Sequence, residues 1–201
     1  FISHGLFDRH ISLWASHGMF YDTKKSCWRW QRPNLFCTTE DLFTQTIVVP
    51  YLIPMLERAG AVVYTPRERD WQKNEVLVDN DNGRGYVEDD GREKWRTAQA
   101  KGFAPRNGVY RDGENPFLQG TARQVRTVRK GHESWASYQP QIPQAGRYAV
   151  YVSYQTLPNS VSDVQYIVCH KGQRTLFRVN QQMGGGTWVY LGTFDFDSGS
   201  S

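Results

Sequence analysis

Apolar and polar residues alternate differently in the two halves of this chain. Up to residue 66 the apolar positions come in runs, whereas beyond residue 130 they fall at every second position. The first run, Ile11 to Ser16, is bounded by His10 on one side and by His17 and Gly18 on the other. It predicts a buried strand over 10–17, because a helix normally needs about ten residues or more. His17 is then expected at the carboxyl end of a strand, the edge of an α/β sheet where loops converge on a crevice. Residues 18–37 have no periodicity of their own and carry Phe20, Tyr21, Trp28, Arg29, Trp30 and Arg32. They read as a long, ordered, functional loop.

Thr38-Thr39-Glu40-Asp41 has the chemistry of a helix start, with a hydroxyl to cap orphan amides and acids in the first turn. Leu42, Phe43, Ile47, Val48, Tyr51, Leu52, Met55 and Leu56 then recur at three-to-four spacing and predict an apolar stripe. Pro50 and Pro54 each remove a backbone donor, so a kink or two successive helices are expected before Gly60 stops the run. Ala61 to Thr65 reads as a second buried strand. Strand, helix and strand in succession predict a crossover within a parallel sheet.

Asp79-Asn80-Asp81-Asn82-Gly83-Arg84-Gly85 is a turn-rich breaker and sets the expected boundary, with one domain over 1–81 and another over 82–201. After a glycine-punctuated stretch, strict alternation begins: Tyr148, Val150, Val152 and Tyr154 on one face, then Val164, Tyr166 and Val168. Leu176 to Val179 and Trp188 to Leu191 continue the series, separated by turn signals such as Lys171-Gly172 and Gly184-Gly185-Gly186. Short strands at this spacing predict an antiparallel sandwich, so the fold class is α/β followed by all-β. Cys169 lies in one of these strands and reads as a small buried hydrophobe.

Composition narrows the function only a little. The 201 residues carry 24 basic and 20 acidic side chains, interspersed, for a net charge of +4. That is a solvated mixed-charge surface and not a nucleic-acid footprint. No apolar run is long enough for a transmembrane span. The chain opens with Phe, which reads as a piece of something longer. Three cysteines make no disulfide framework, and Cys27 and Cys37 are either bridged across their loop or free.

His17 and Glu40 are the candidate metal ligands, an imidazole ending one strand and a carboxylate opening the next helix. A catalytic zinc needs three protein ligands and an open position, so two residues alone do not make a site. Ser16-His17-Gly18, Glu40, Met55 to Val63, and Thr65-Pro66-Arg67 with Asp70 together resemble the first half of the zinc-dependent N-acetylmuramoyl-L-alanine amidases. Trp28-x-Trp30-Gln31-Arg32-Pro33 and Pro66 to Asp70 are similar to a bacterial subgroup often labelled xanthan lyase, in which a sandwich module interrupts the amidase fold. The resemblance implies a partial amidase-like parallel sheet, Zn²⁺ on His17 and Glu40, and Arg29, Arg32, Arg67 and Arg69 as contacts to an anionic peptidoglycan stem. The family's third ligand and catalytic glutamate are not matched in this chain, so the catalytic residues are unassigned. His132 and His170 fall in the sandwich-like half and read as structural or exposed.

Ala145-Gly146-x-Tyr148-x-Val150-Tyr151, Tyr166-x-Val168-x-His170-x-Gly172 and Gly185-Gly186-x-Trp188-x-x-Leu191-Gly192 resemble the golvesin C-terminal-like domain, also described as xanthan-lyase carbohydrate-binding-like. That likeness implies a β-sandwich of jelly-roll type and much less about binding; Trp135, Tyr138 and Trp188 are candidate sugar-stacking aromatics on their own chemistry, because Trp and Tyr faces stack on pyranose rings. Two functions follow: part of a peptidoglycan amidase, or a non-catalytic module on a degenerate amidase scaffold that binds polysaccharide or protein. Either implies a periplasmic, cell-surface or secreted protein acting on cell-envelope polysaccharide. A third, polysaccharide lyase, follows only from the label, and no base is nominated for it.

Overall fold

The structure is a computed structural model that describes residues 5–66, 69, 72–105 and 113–200. The chain divides into two compact units, Phe1–Trp71 and Gln72–Ser201, so the turn-rich stretch at 79–85 lies inside the second unit.

In the first unit, β1 (His10–Ser12) and β6 (Val62–Tyr64) pair in parallel, with Ile11 opposite Val63. The connection between them holds α1 (Glu40–Ile47), a π-helical turn at Val48–Leu52 and α2 (Ile53–Arg58). Thr39 caps α1 by accepting a hydrogen bond from the Leu42 amide at 3.2 Å. The prolines act as expected: Pro50 lies in the π turn and Pro54 opens α2. Gly60 closes the run with φ of 99°. Ile53, Ala61 and Val63 form the core of this unit, backed by Leu6, Ile11, Leu13, Val48 and Leu56.

Three expectations need correction here. The strand over 10–17 ends at Ser12; Leu13 donates one more bond to the Tyr64 carbonyl, and Ser16 then turns the chain with φ of 65°. His17 therefore lies beyond the strand and not at its end. The expected loop over 18–37 contains β2 (Met19–Asp22) paired antiparallel with β3 (Cys27–Trp30). It also contributes β4 (Asn34–Leu35), which pairs with β5 (Thr38–Thr39). The Asp22 carboxylate makes the first hairpin, accepting bonds from the Lys24 and Lys25 amides at the turn. The helical stripe is also misplaced: Leu42, Phe43, Ile47, Tyr51 and Met55 are exposed, while Asp41 and Ile53 are buried.

The second unit is built of antiparallel strand pairs and is consistent with a β-sandwich-like module. β7 (Tyr86–Asp89) pairs with β10 (Trp135–Tyr138), and β8 (Arg96–Gly102) pairs with β9 (Gly120–Gln124). β11 (Gln141–Ile142) pairs with β16 (Gly199–Ser200), and β12 (Gly146–Val152) pairs with β15 (Val189–Phe196) across a bulge after Val150. β13 (Val164–His170) and β14 (Gln173–Val179) form a hairpin closed by Lys171 and Gly172, both at positive φ, the geometry a two-residue turn requires. The core collects Ile142, Tyr148, Val168 and Phe196, with Val150, Phe177, Leu191 and Phe194 packed on it. Burial follows the expected period of two, which is also why Cys169 is exposed: it stands one position after buried Val168 and faces outward. All three cysteines are free thiols.

Candidate functional site

In the first unit, Arg32 is the hub. Its guanidinium Nη2 lies 2.9 Å from His17 Nε2, and its backbone amide donates to Asp41 Oδ2 at 2.8 Å. Arginine has no lone pair to offer, so it donates and the Nε2 of His17 accepts. Asp41 is fully buried, and its Oδ1 has no hydrogen-bond partner among the described residues. Glu40 opens α1 and is exposed. This donor set does not fit a zinc ion as it stands. The Nε2 lone pair of His17 is engaged by a guanidinium, and the described residues hold no group of three or more His, Cys, Asp or Glu placed to bind a metal.

The other first-unit candidates are tied up locally. Arg29 pairs with Asp22 at 3.0 Å across its own hairpin, and Arg69 pairs with Glu57 at 2.6 Å. Burial raises the Glu57 carboxyl despite the Arg69 guanidinium beside it. Arg67 lies outside the described residues.

In the second unit the three candidate aromatics do not form one platform. Successive side chains on a strand face opposite ways. The register sets Tyr86 opposite Tyr138 and Glu88 opposite Ala136, so these share one face of the β7–β10 ribbon. Trp135 lies opposite Asp89 and stands on the other face, half-exposed. Trp188 is built into a cluster, its ring 4.9 Å from Phe103 and 5.6 Å from Phe117, and serves packing. Of the three, Tyr138 alone packs on a residue, Tyr86, that lines a cleft. Its ring lies 4.9 Å from Tyr86, burial of its phenol end raises its pKa, and half of the residue's surface is still open to solvent. His132 and His170 take the structural roles expected: His132 is exposed, 3.9 Å from Asp89, and His170 bonds Thr175 and packs on Phe194.

That cleft was not among the sequence candidates. It is shallow and wide open to solvent, with a volume of about 480 Å³, and its mostly polar lining is Asn80, Asp81, Tyr86, Glu88, Thr97, Thr121 and Arg123. The turn residues supply its rim. Asp81 Oδ2 accepts the Thr121 amide at 2.7 Å, its Oδ1 accepts a short bond from the Thr121 hydroxyl, and Asn80 Nδ2 reaches the same hydroxyl at 2.8 Å. Arg123 spans the floor: Nε and Nη2 grip both oxygens of Glu88 at 2.6 and 2.7 Å, and Nη1 donates to Thr97 Oγ1 at 2.6 Å. Tyr86 donates to Glu88 Oε1 at 2.5 Å. The guanidinium holds the Glu88 carboxyl below the usual range, while burial pushes the Tyr86 hydroxyl up. The sequence signal for this site was the i, i+2 placement of polar residues, Tyr86 with Glu88 and Thr121 with Arg123, on strands that otherwise read as irregular.

Because Glu88 is depressed on folding, its contribution is complete above the ordinary glutamate pKa and is lost as the pH falls through the lower folded value. From about pH 6 to about pH 3, the wild-type thermal midpoint is expected to fall more steeply than that of Glu88→Gln. Parallel curves would remove the ion pair from the stability of this unit.

Among the described residues, no helix is long and apolar enough to cross a membrane. A protein named xanthan lyase from Bacillus sp. (strain GL1) is 31% identical over 125 residues, covering 62% of this chain and 12% of that protein. A solved structure of a Paenibacillus xanthan lyase is similar with a TM-score of 0.46 and 27% identity, over 63% of this chain and 10% of the other. The chain thus spans about an eighth of the curated relative it matches. Residues 113–201, within the second unit, match the family model described as the Golvesin C-terminal domain.

Proposed function

We propose that the second unit is a polysaccharide-binding module of an envelope or secreted protein. The observation that carries this reading is the open cleft in which Tyr86, backed by the Tyr138 ring, stands beside a fixed set of polar groups. Saccharide sites combine an apolar or aromatic wall with a few convergent polar groups, and a volume of several hundred Å³ is of the right scale. The 31% identity to part of a protein named xanthan lyase supports a polysaccharide as the class of ligand. Peptidoglycan and other envelope polysaccharides are the partners to test, and a periplasmic, cell-surface or secreted location follows from them.

The zinc-dependent amidase reading of the first unit has the parallel β1–β6 pair and its helical crossover in its favour. Against it stands the Arg32 contact to His17, which a metal would have to displace. The binding-module reading needs no such rearrangement. Co-sedimentation of the intact chain with insoluble polysaccharides, peptidoglycan included, tests it. Retention on at least one polymer, reversed by soluble oligosaccharide of the same composition, is the expected result. Recovery of all the protein in the supernatant for every polymer would exclude it.

A further inference from the structure

The geometry points to the Asn80–Arg123 cleft as a site for an uncharged pyranose, recognised through neighbouring hydroxyls and discriminating against uronates and other anionic sugars. This rests on the polysaccharide-binding reading and says where and what kind of sugar.

What each polar group has left after its internal bonds decides which ligand the cleft can take. The Asn80 amide spends its N–H groups on Thr121 and Asp81, which leaves its carbonyl oxygen as an acceptor on a residue of the rim. Asp81 spends Oδ1 on the Thr121 hydroxyl and Asn80, and gives one lone pair of Oδ2 to the Thr121 amide; the second lone pair of Oδ2 remains. On the floor, Arg123 uses one N–H from each of its nitrogens, so one on Nη1 and one on Nη2 are left. The Thr97 hydroxyl accepts from Arg123 and keeps its own proton to donate. The cleft therefore offers acceptors from the turn and donors from the strands. A sugar hydroxyl donates and accepts at once, so a pair of adjacent hydroxyls fits that arrangement.

A carboxylated sugar does not fit. The one guanidinium lining the cleft already holds both oxygens of Glu88, and the lining carries two carboxylates, Asp81 and Glu88, against that single cation. An entering anion would meet an excess of negative charge with no unpaired cation to offset it. The donors and acceptors are also fixed before a ligand arrives, since each is held by at least one internal bond, which lowers the ordering cost of binding.

The test is an NMR titration of the intact chain with neutral tetrasaccharides of glucose, mannose and galactose, and with their uronate counterparts. Expected are shifts at the amides of Asn80, Asp81, Thr97 and Thr121 and at Arg123 Nε with a neutral sugar, and binding at least about tenfold weaker for its uronate. Asn80→Ala and Thr97→Val are each expected to weaken the neutral sugar by about 5- to 20-fold, with only the small drop in thermal midpoint that losing one or two exposed internal hydrogen bonds brings. Two variants on different elements keep the test valid if one of them perturbs folding, and the wild-type shift map needs neither. Shifts centred on the Trp135 or Trp188 indole, or uronates bound as tightly as neutral sugars, would overturn the cleft assignment and leave the module reading standing. No shift with any sugar would overturn both.

Discussion

Phe196→Ala is expected to lower the stability of the second unit by about 3–5 kcal/mol. Phe196 is 5% exposed at the end of β15, and it meets the Tyr148 ring edge-on at 6.2 Å and His170 at 6.5 Å. It packs with Ile142, Tyr148 and Val168, which come from three other strands, so the cavity left behind opens among several elements and none can collapse into it alone. Against a total of about 5–15 kcal/mol for an ordinary domain, this is a large share. Hydrogen exchange on the intact chain reads the effect by segment. Protection in 146–152, 164–170 and 189–196 is expected to fall by roughly two to three orders of magnitude, with Val62–Tyr64 of the first unit as the internal reference. Trp135→Ala removes a larger ring from a half-exposed position and is expected to cost about 1 kcal/mol or less. Equal losses for the two substitutions would mean that the core does not lie where Tyr148 and Phe196 meet.

What the sequence shows and what it hides divide along the range of the interactions. The second-unit strands were legible because an alternating pattern records a buried face directly: Val164, Tyr166 and Val168 are less exposed than Gln165, Ile167 and Cys169. The capped helix start and the proline break between α1 and α2 were legible for the same reason, since each is local backbone chemistry. The β2–β3 hairpin was not, because its turn depends on one carboxylate, Asp22, accepting from two amides, and on Ser26 adopting a φ of 51°. The buried helix face is not legible because three-to-four spacing says that a stripe exists and not which neighbour covers it. In the folded unit Asp41 goes inside to hold the Arg32 amide, and Leu42 and Phe43 go outside.

The candidate sites show the same division. His17 and Glu40 were singled out by residue type and spacing, and the Arg32 contact that engages His17 comes from fifteen positions along the chain. The cleft is not legible in the sequence because its members come from a turn, from β7 and from the β8–β9 pair, and only the long-range pairings bring them together. Asp79-Asn80-Asp81-Asn82-Gly83 reads as a chain-breaker, and part of it is one: Asp79 accepts the Asp81 amide at 2.9 Å, and Asn82 accepts the Arg84 amide at 3.2 Å. Only the contact from Asp81 to Thr121, forty positions away, turns that turn into the rim of a site.

Gly120→Ala follows from the same contact and is expected to couple stability to binding. Gly120 faces Gly102 across the β8–β9 pair, and a Cβ at Gly120 would fall 1.9 Å from the Phe103 carbonyl oxygen, 2.6 Å from its carbon and 2.8 Å from Asp81 Oδ2. Two of those atoms are backbone and cannot rotate away, so the strand pair itself must separate. The cost is expected at or above the upper end of ordinary overpacking, about 3 kcal/mol. The third atom makes the effect functional, because displacing Asp81 breaks its bonds to the Thr121 amide and hydroxyl and removes the cleft's rim. Gly172→Ala is the control. Its Cβ would meet nothing within 4 Å and only its φ of +72° is unfavourable, so a cost of about 1–2 kcal/mol and unchanged binding are expected. Thermal midpoints and saccharide affinity, measured together on the intact chain, check both: Gly120→Ala loses stability and binding, Gly172→Ala a little stability alone. A Gly120→Ala protein with wild-type midpoint and wild-type affinity would show that β8 and β9 do not approach each other as closely as this fold requires, and the cleft built on them would fall with that pairing.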